Sequence, residues 1–115
     1  MSGIKESDWK KFKPLRDKAL ERFDLQTFKE VDEVIHQIDK NTRERYFDLY
    51  DVVAKRDKMI EQLFNHFGRS EAITDIASFY DLGLIETEEL ETFSEETRDE
   101  VHKFISFWNR DKDNT

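Results

Sequence analysis

From Thr42 to Phe67 the chain runs 26 residues without a glycine or proline, and its apolar residues recur at helical spacing. Tyr46, Tyr50, Val53, Ile60, Phe64 and Phe67 follow a four-three rhythm, with Leu49 and Leu63 flanking the same side. That repeat marks one stripe of an α-helix. A helix of this length spans about 39 Å, so the remaining segments have to be arranged around it. One slot breaks the stripe: Asp57 stands where the spacing asks for a hydrophobe.

The other segments read as helices too. Gly3, Gly68, Gly83 and Pro14 are the only glycines and proline, and no alternating strand pattern bounded by turn residues occurs. A first helix is predicted over roughly Asp8 to Phe23, with Trp9, Phe12, Ala19, Leu20 and Phe23 inward. Pro14 is placed near the N1 position of its main part, where the missing N–H is harmless. A second helix is predicted to start at a Thr27-x-x-Glu30 capping box and to bury Phe28, Val31, Val34, Ile35 and Ile38. Asn41-x-x-Glu44 supplies a capping box for the long helix, and Gly68 a left-handed stop. Ser70 is read as the cap of a helix reaching Asp81, with Gly83 ending it and Leu84 and Ile85 plugging the turn. Thr87 then caps a short helix and Ser94 the last one, whose stripe is Val101, Phe104, Ile105 and Trp108. Residues 1–6 and 109–115 read as frayed. The expectation is a compact all-α bundle of about five helices, one domain over residues 1–115, around the central 42–67 helix.

Composition narrows the function. There is no cysteine, which excludes disulfides, thiolate nucleophiles and cysteine-ligated zinc. No apolar run approaches a membrane span, and the opening segment lacks the apolar stretch of a secretory signal, so a cytoplasmic protein is expected. Charged residues make up 40% of the chain and the net charge is -8. Most of that excess lies in residues 71–100, where eleven acids face the single Arg98. An acidic chain repels phosphate backbones, so nucleic acid is not an expected partner. Glu88, Glu89, Glu95 and Glu96 suit the first turns of helices, where acids complement the helix dipole. Glu86, Glu91, Asp99 and Glu100 have no such explanation and become candidate contacts for a partner with a basic surface.

Asp57 is the other candidate. A carboxylate on an apolar stripe must be paired, protonated or hydrated: it is either a structural pair or an acid lining a ligand pocket between helices. Glu33-x-x-His36 and Asp99-x-x-His102 have the spacing of metal ligands in carboxylate-bridged bundles. Yet Glu33 and His36 point roughly 150° away from their helix's apolar stripe, and Asp99 lies opposite Val101 and Trp108, so no metal or other cofactor is expected. His66 reads as a favourable charge near the end of the long helix. Phe47, Met59, Phe79 and Phe107 project sideways from their stripes; sharing one surface, they would form a homodimer contact. The basic first helix, whose apolar face the core needs, is expected to pack against the acidic second half, within the chain or across a dimer interface, rather than on a membrane. Serines that read as caps, and the lack of a glycine-rich loop, give catalysis no foothold. The sequence therefore predicts a non-catalytic interaction protein of bacterial type that uses its acid-rich 71–100 surface. Self-association and a small-ligand pocket near Asp57 stand as alternatives.

Overall fold

The computed structural model of the chain describes the backbone of residues 3–113 and the side chains of residues 3–110. Within that span every regular element is helical, 80% of the chain in all, as the spacing predicts. Five α-helices run in order: α1 (Glu6–Ile35), α2 (Thr42–Phe64), α3 (Ala72–Asp81), α4 (Thr87–Leu90) and α5 (Glu95–Asp113), with a 3₁₀ turn at Arg69–Glu71. They form two compact units. One is the hairpin Glu21–Asn65; the other joins the residues up to Leu20 to those from His66 onward.

The predicted break between two opening helices does not exist. A single 30-residue helix runs through it, because the inward stripe never stops: Phe12, Leu15, Ala19 and Phe23 are buried and continue into half-buried Gln26, Thr27 and Glu30 and buried Val34. The continuation is polar, which is why it reads as a boundary in the sequence. The Thr27 hydroxyl donates to the Phe23 carbonyl 3.2 Å away, inside the helix, instead of capping a new one. Pro14 sits within α1 and not at its start. Its ring is exposed, so the helix tolerates one missing N–H while Phe12 and Leu15 beside it stay buried.

In the hairpin, the second half of α1 and the whole of α2 lie antiparallel, as three contacts along their length require. Arg45 donates to the Ile35 carbonyl, Arg56 meets residues 23–30, and the rings of Phe23 and Phe64 meet edge to face with centroids 6.0 Å apart. The face of α2 turned inward is Leu49, Val52, Arg56, Ile60 and Leu63, ending in buried Phe64. It lies one residue round from the predicted stripe, so Tyr46, Tyr50 and Val53 are exposed. Phe28, Ile35 and Ile38, predicted inward from the preceding segment, are exposed as well. Arg56 is only 7% exposed. Its Nε donates to the Thr27 hydroxyl (2.8 Å) and its Nη2 to the Phe23 carbonyl (2.8 Å) and the Gln26 side-chain oxygen (3.3 Å). Nη1 reaches Glu30 at 3.4 Å, and the guanidinium lies 3.7 Å from the centre of the Phe23 ring. Asn41 caps α2 as predicted, accepting from the Glu44 N–H at 2.8 Å, although Glu44 takes the Asn41 side-chain amide and not its backbone N–H.

The second unit is built on stacked rings. Phe12 lies parallel to Phe79 (6.3 Å between centroids) and stacks on Trp9 (5.6 Å). Phe67 is not the last residue of the long helix, which stops at Phe64. It leaves the helix and lies against Trp9, 5.2 Å away, and Phe12. Gly68 is accordingly extended (φ -165°), not left-handed. Ser70 lies in the 3₁₀ turn and donates to the Glu71 carboxylate instead of capping α3. Gly83 is left-handed as predicted (φ 74°). With it, the Leu84 N–H reaches the Phe79 carbonyl (2.8 Å) and the Gly83 N–H reaches that of Tyr80 (3.1 Å), a Schellman stop. Leu84 and Ile85 are buried plugs, as expected. Helix α5 continues through residues 109–113, read in the sequence as a frayed tail.

Arg56→Ala removes the cation and leaves the Phe23 carbonyl and the Thr27 and Gln26 side chains without it. The loss of a buried charge network of this kind costs about 3 kcal/mol, which should lower Tm by about 10 °C or more in a domain of this size. Arg56→Met, which keeps the apolar stem, should cost less. Thermal melts by circular dichroism check both; an Arg56→Ala protein that melts with the wild type refutes the role given to the guanidinium.

Candidate interaction surface

Seating Arg56 inward keeps Ile60 and Phe64 of the predicted stripe inside and leaves Tyr46, Tyr50 and Val53 facing solvent. Tyr46, Tyr50 and Val53 are 54%, 64% and 42% exposed, and α1 adds Phe28 (70%) and Ile35. At 100° per residue, Tyr46, Tyr50 and Val53 sit roughly 90° round from the inward face of α2, and Phe28 and Ile35 roughly 130° round from that of α1, whereas Leu25 lies about 200° round, past the far side. In antiparallel helices those rotations carry both sets to the same side of the hairpin. The result is one apolar face. At its tip the Arg43 guanidinium rests on the rings of Tyr46 (5.3 Å) and Phe47 (4.8 Å), and those two rings meet edge to face. At its other end stands Asp57, exposed and continuous with Tyr50 and Val53. The buried polar residue of α2 is its neighbour Arg56. Asp57 therefore lines no pocket between the two helices of the hairpin; it closes the acidic end of an open face.

The remaining predicted residues are scattered. Glu86 is the N-cap of α4, and its N–H donates to the Glu89 carboxylate at 2.8 Å, so it is explained by local helix chemistry after all. Glu91 is the C-cap of the same four-residue helix. Asp99 and Glu100 lie together on α5 in a groove of about 290 Å³ shared with Lys5, Ile73, Glu96 and Lys103. The lysines offset the acids there: Lys5 pairs with Glu96 at 3.1 Å and Lys103 approaches Glu100 at 4.0 Å. Phe79 is fully buried, while Phe47 and Phe107 are about half exposed and Met59 is half buried. Phe79 thus belongs to the core and to no dimer contact. His36 lies against Asp32, through its carbonyl (2.8 Å) and carboxylate (3.3 Å), and not beside Glu33. No helix among the described residues is long and apolar enough to cross a membrane.

Two carboxylates that the sequence reading passes over carry perturbed chemistry. Asp8, 1% exposed, clasps the start of α5. Its oxygens accept from the Ser94 N–H (3.0 Å), the Ser94 hydroxyl (2.6 Å) and the Thr97 hydroxyl (2.7 Å). Burial alone would raise its pKa, but the hydrogen bonds from Ser94 and Thr97, with the Lys11 charge, outweigh it and hold the carboxyl below its ordinary value. Ser94 is still the helix cap, since its hydroxyl also accepts from the Thr97 N–H. Asp75 is buried on α3 and moves the other way. Burial pushes its pKa up, against the opposing pull of His66, whose Nε2 lies 3.0 Å from Oδ1. Its other oxygen is buried without a partner. His66 therefore serves Asp75 and not the end of α2. The only hint of Asp8 in the sequence is its place one turn before Phe12 on the inward stripe; Asp75 sits one residue before Ile76 and reads as an ordinary polar position.

No family model matches the chain, and no curated protein or solved structure matches it.

Stability should respond to these two acids in opposite senses. The Asp8 pKa is depressed on folding, so its contribution is complete above the unfolded carboxylate value and is lost as pH falls through the folded one. Asp8→Ala should cost about 3 kcal/mol near neutrality and flatten the loss of stability below the ordinary carboxylate range. The Asp75 pKa is raised, so wild-type stability declines as pH climbs from the ordinary carboxylate value through the folded one. Asp75→Asn should abolish that decline and gain on the wild type as pH rises through the same interval. Urea titrations across the acid range test both; slopes of the reverse sign would refute the assignments.

Proposed function

We propose that this chain is a non-catalytic protein–protein docking module whose working surface is the apolar face of the hairpin, and not the acid-rich segment 71–100. One observation supports it above the rest: Phe28, Ile35, Tyr46, Tyr50 and Val53 are each at least 42% exposed, at helical angles that turn them to one side of two antiparallel helices. In a chain with 40% charged residues, large apolar side chains gathered on one open face are costly to leave in water and mark a surface that another protein covers. Tyrosine is well suited to such a surface, since its ring buries well and its hydroxyl tolerates water.

Among the described residues, two of the three buried charged groups, Asp8 and Arg56, support a non-catalytic role. Asp8 is occupied by three hydrogen bonds to the start of α5, and Arg56 by its partners on α1. The acids of 71–100 include helix caps and groups offset by lysine, which favours a solvated face there.

The test is to place a photo-crosslinking side chain at Tyr50 and, separately, at exposed Glu88, and to irradiate cells that express the protein. Adducts should form from position 50 and be lost when Phe28→Lys is added, with position 88 giving few. Equal labelling at both positions, or adducts confined to position 88, would discard the hairpin face.

A further inference from the structure

Resting on the docking reading above, we infer that the occupant of the hairpin face is a second copy of this chain, placed so that the two α2 helices cross the interface antiparallel, related by a two-fold axis near Tyr50.

The face is self-complementary along its length. Reading down α2, it starts with a cation at Arg43, passes through Tyr46, Tyr50 and Val53, and reaches a carboxylate at Asp57. Arg43 and Asp57 are fourteen residues apart, so they lie about 21 Å apart along the axis and within roughly 40° of each other around it. Tyr50 is midway between them. A two-fold axis lying in the interface beside Tyr50, at right angles to the helices, lays Arg43 of each copy over Asp57 of the other and Tyr50 over Tyr50. A two-fold axis parallel to the helices would instead set cation on cation and carboxylate on carboxylate, which is disfavoured. Charge thus selects one of the two symmetric arrangements, and closed two-fold pairing is the commonest form of self-association.

Area points the same way. Taking about 200 Å² for a whole aromatic side chain, somewhat less for an aliphatic one, and scaling by exposure, the five residues present on the order of 500 Å² per copy. Two copies then hide about 1,000 Å² of apolar surface before any polar rim is counted, the least that a specific interface needs. Arg43 is already held on the face by the rings of Tyr46 and Phe47, so ordering it for an ion pair costs little further freedom. The arrangement also explains Asp57. On an apolar stripe that a partner covers, a carboxylate matched to the partner copy's cation fixes register and direction, as single polar residues do in coiled coils.

Sedimentation equilibrium over a micromolar range measures it. The wild type should approach twice the 13.9 kDa chain mass. Tyr50→Lys should be monomeric with an unchanged circular dichroism spectrum. Arg43→Glu and Asp57→Arg should each weaken association at least tenfold, and the double swap Arg43→Glu/Asp57→Arg should restore it to within a few-fold of wild type. A dimer indifferent to Tyr50→Lys, or single swaps that the double does not rescue, overturns the arrangement. A wild type that stays monomeric but still crosslinks through position 50 in cells overturns the second copy and leaves the docking face intact; a monomer without those adducts ends both.

Discussion

A guanidinium with five donors cannot be buried unless acceptors meet it, and in the hairpin those acceptors exist on one line of α1 only: the Phe23 carbonyl, Gln26, Thr27 and Glu30. Seating Arg56 on that line fixes the rotation of α2 about its own axis. Everything else in the unit follows from the rotation. Leu49, Val52, Ile60 and Leu63 turn inward with Arg56, and Tyr46, Tyr50, Val53 and Asp57 turn out. Had α2 buried the tyrosine stripe instead, Arg56 would lie in water and the four polar groups of α1 would face hydrocarbon.

The same contact shows why sequence periodicity is legible as to element and ambiguous as to face. The stripe through Tyr46, Tyr50 and Val53 is present and helical, but the flanking Leu49 and Leu63, with Val52, make a second apolar line beside it, and Ile60 and Phe64 serve either. Two apolar stripes side by side give a helix two faces to offer, and hydrophobic spacing cannot rank them. The ranking comes from a charged residue that looks, in the sequence, like one more surface arginine. The merged opening helix has the same cause. Gln26, Thr27 and Glu30 interrupt the apolar run and imitate a capping box, yet they sit at the right angle to continue the inward stripe and receive Arg56.

Local signals that depend on neighbours along the chain were easier to read. Asn41 before α2, Ser94 before α5, left-handed Gly83 and the plugs Leu84 and Ile85 all stand where their residue types demand. Gly68 misled because glycine permits a left-handed stop without requiring one; the rings of Trp9 and Phe12, remote in sequence, draw Phe67 out of the helix and stretch the backbone behind it. Asp8 was hidden for the converse reason. Its partners Ser94 and Thr97 lie 86 and 89 residues away, and no local pattern announces a carboxylate that will close the far end of the chain.

Residues close together in the chain dictate its helical content, the starts of α2 and α5, the stop of α3 and the heavily charged surface, because helix propensity, capping and side-chain period act within a few residues. Only the tertiary structure decided which apolar stripes are core and which are open, and which acids are structural. Those outcomes depend on hydrogen bonds and ring contacts between residues tens of positions apart, whose energy belongs to the pair and is written in neither segment alone.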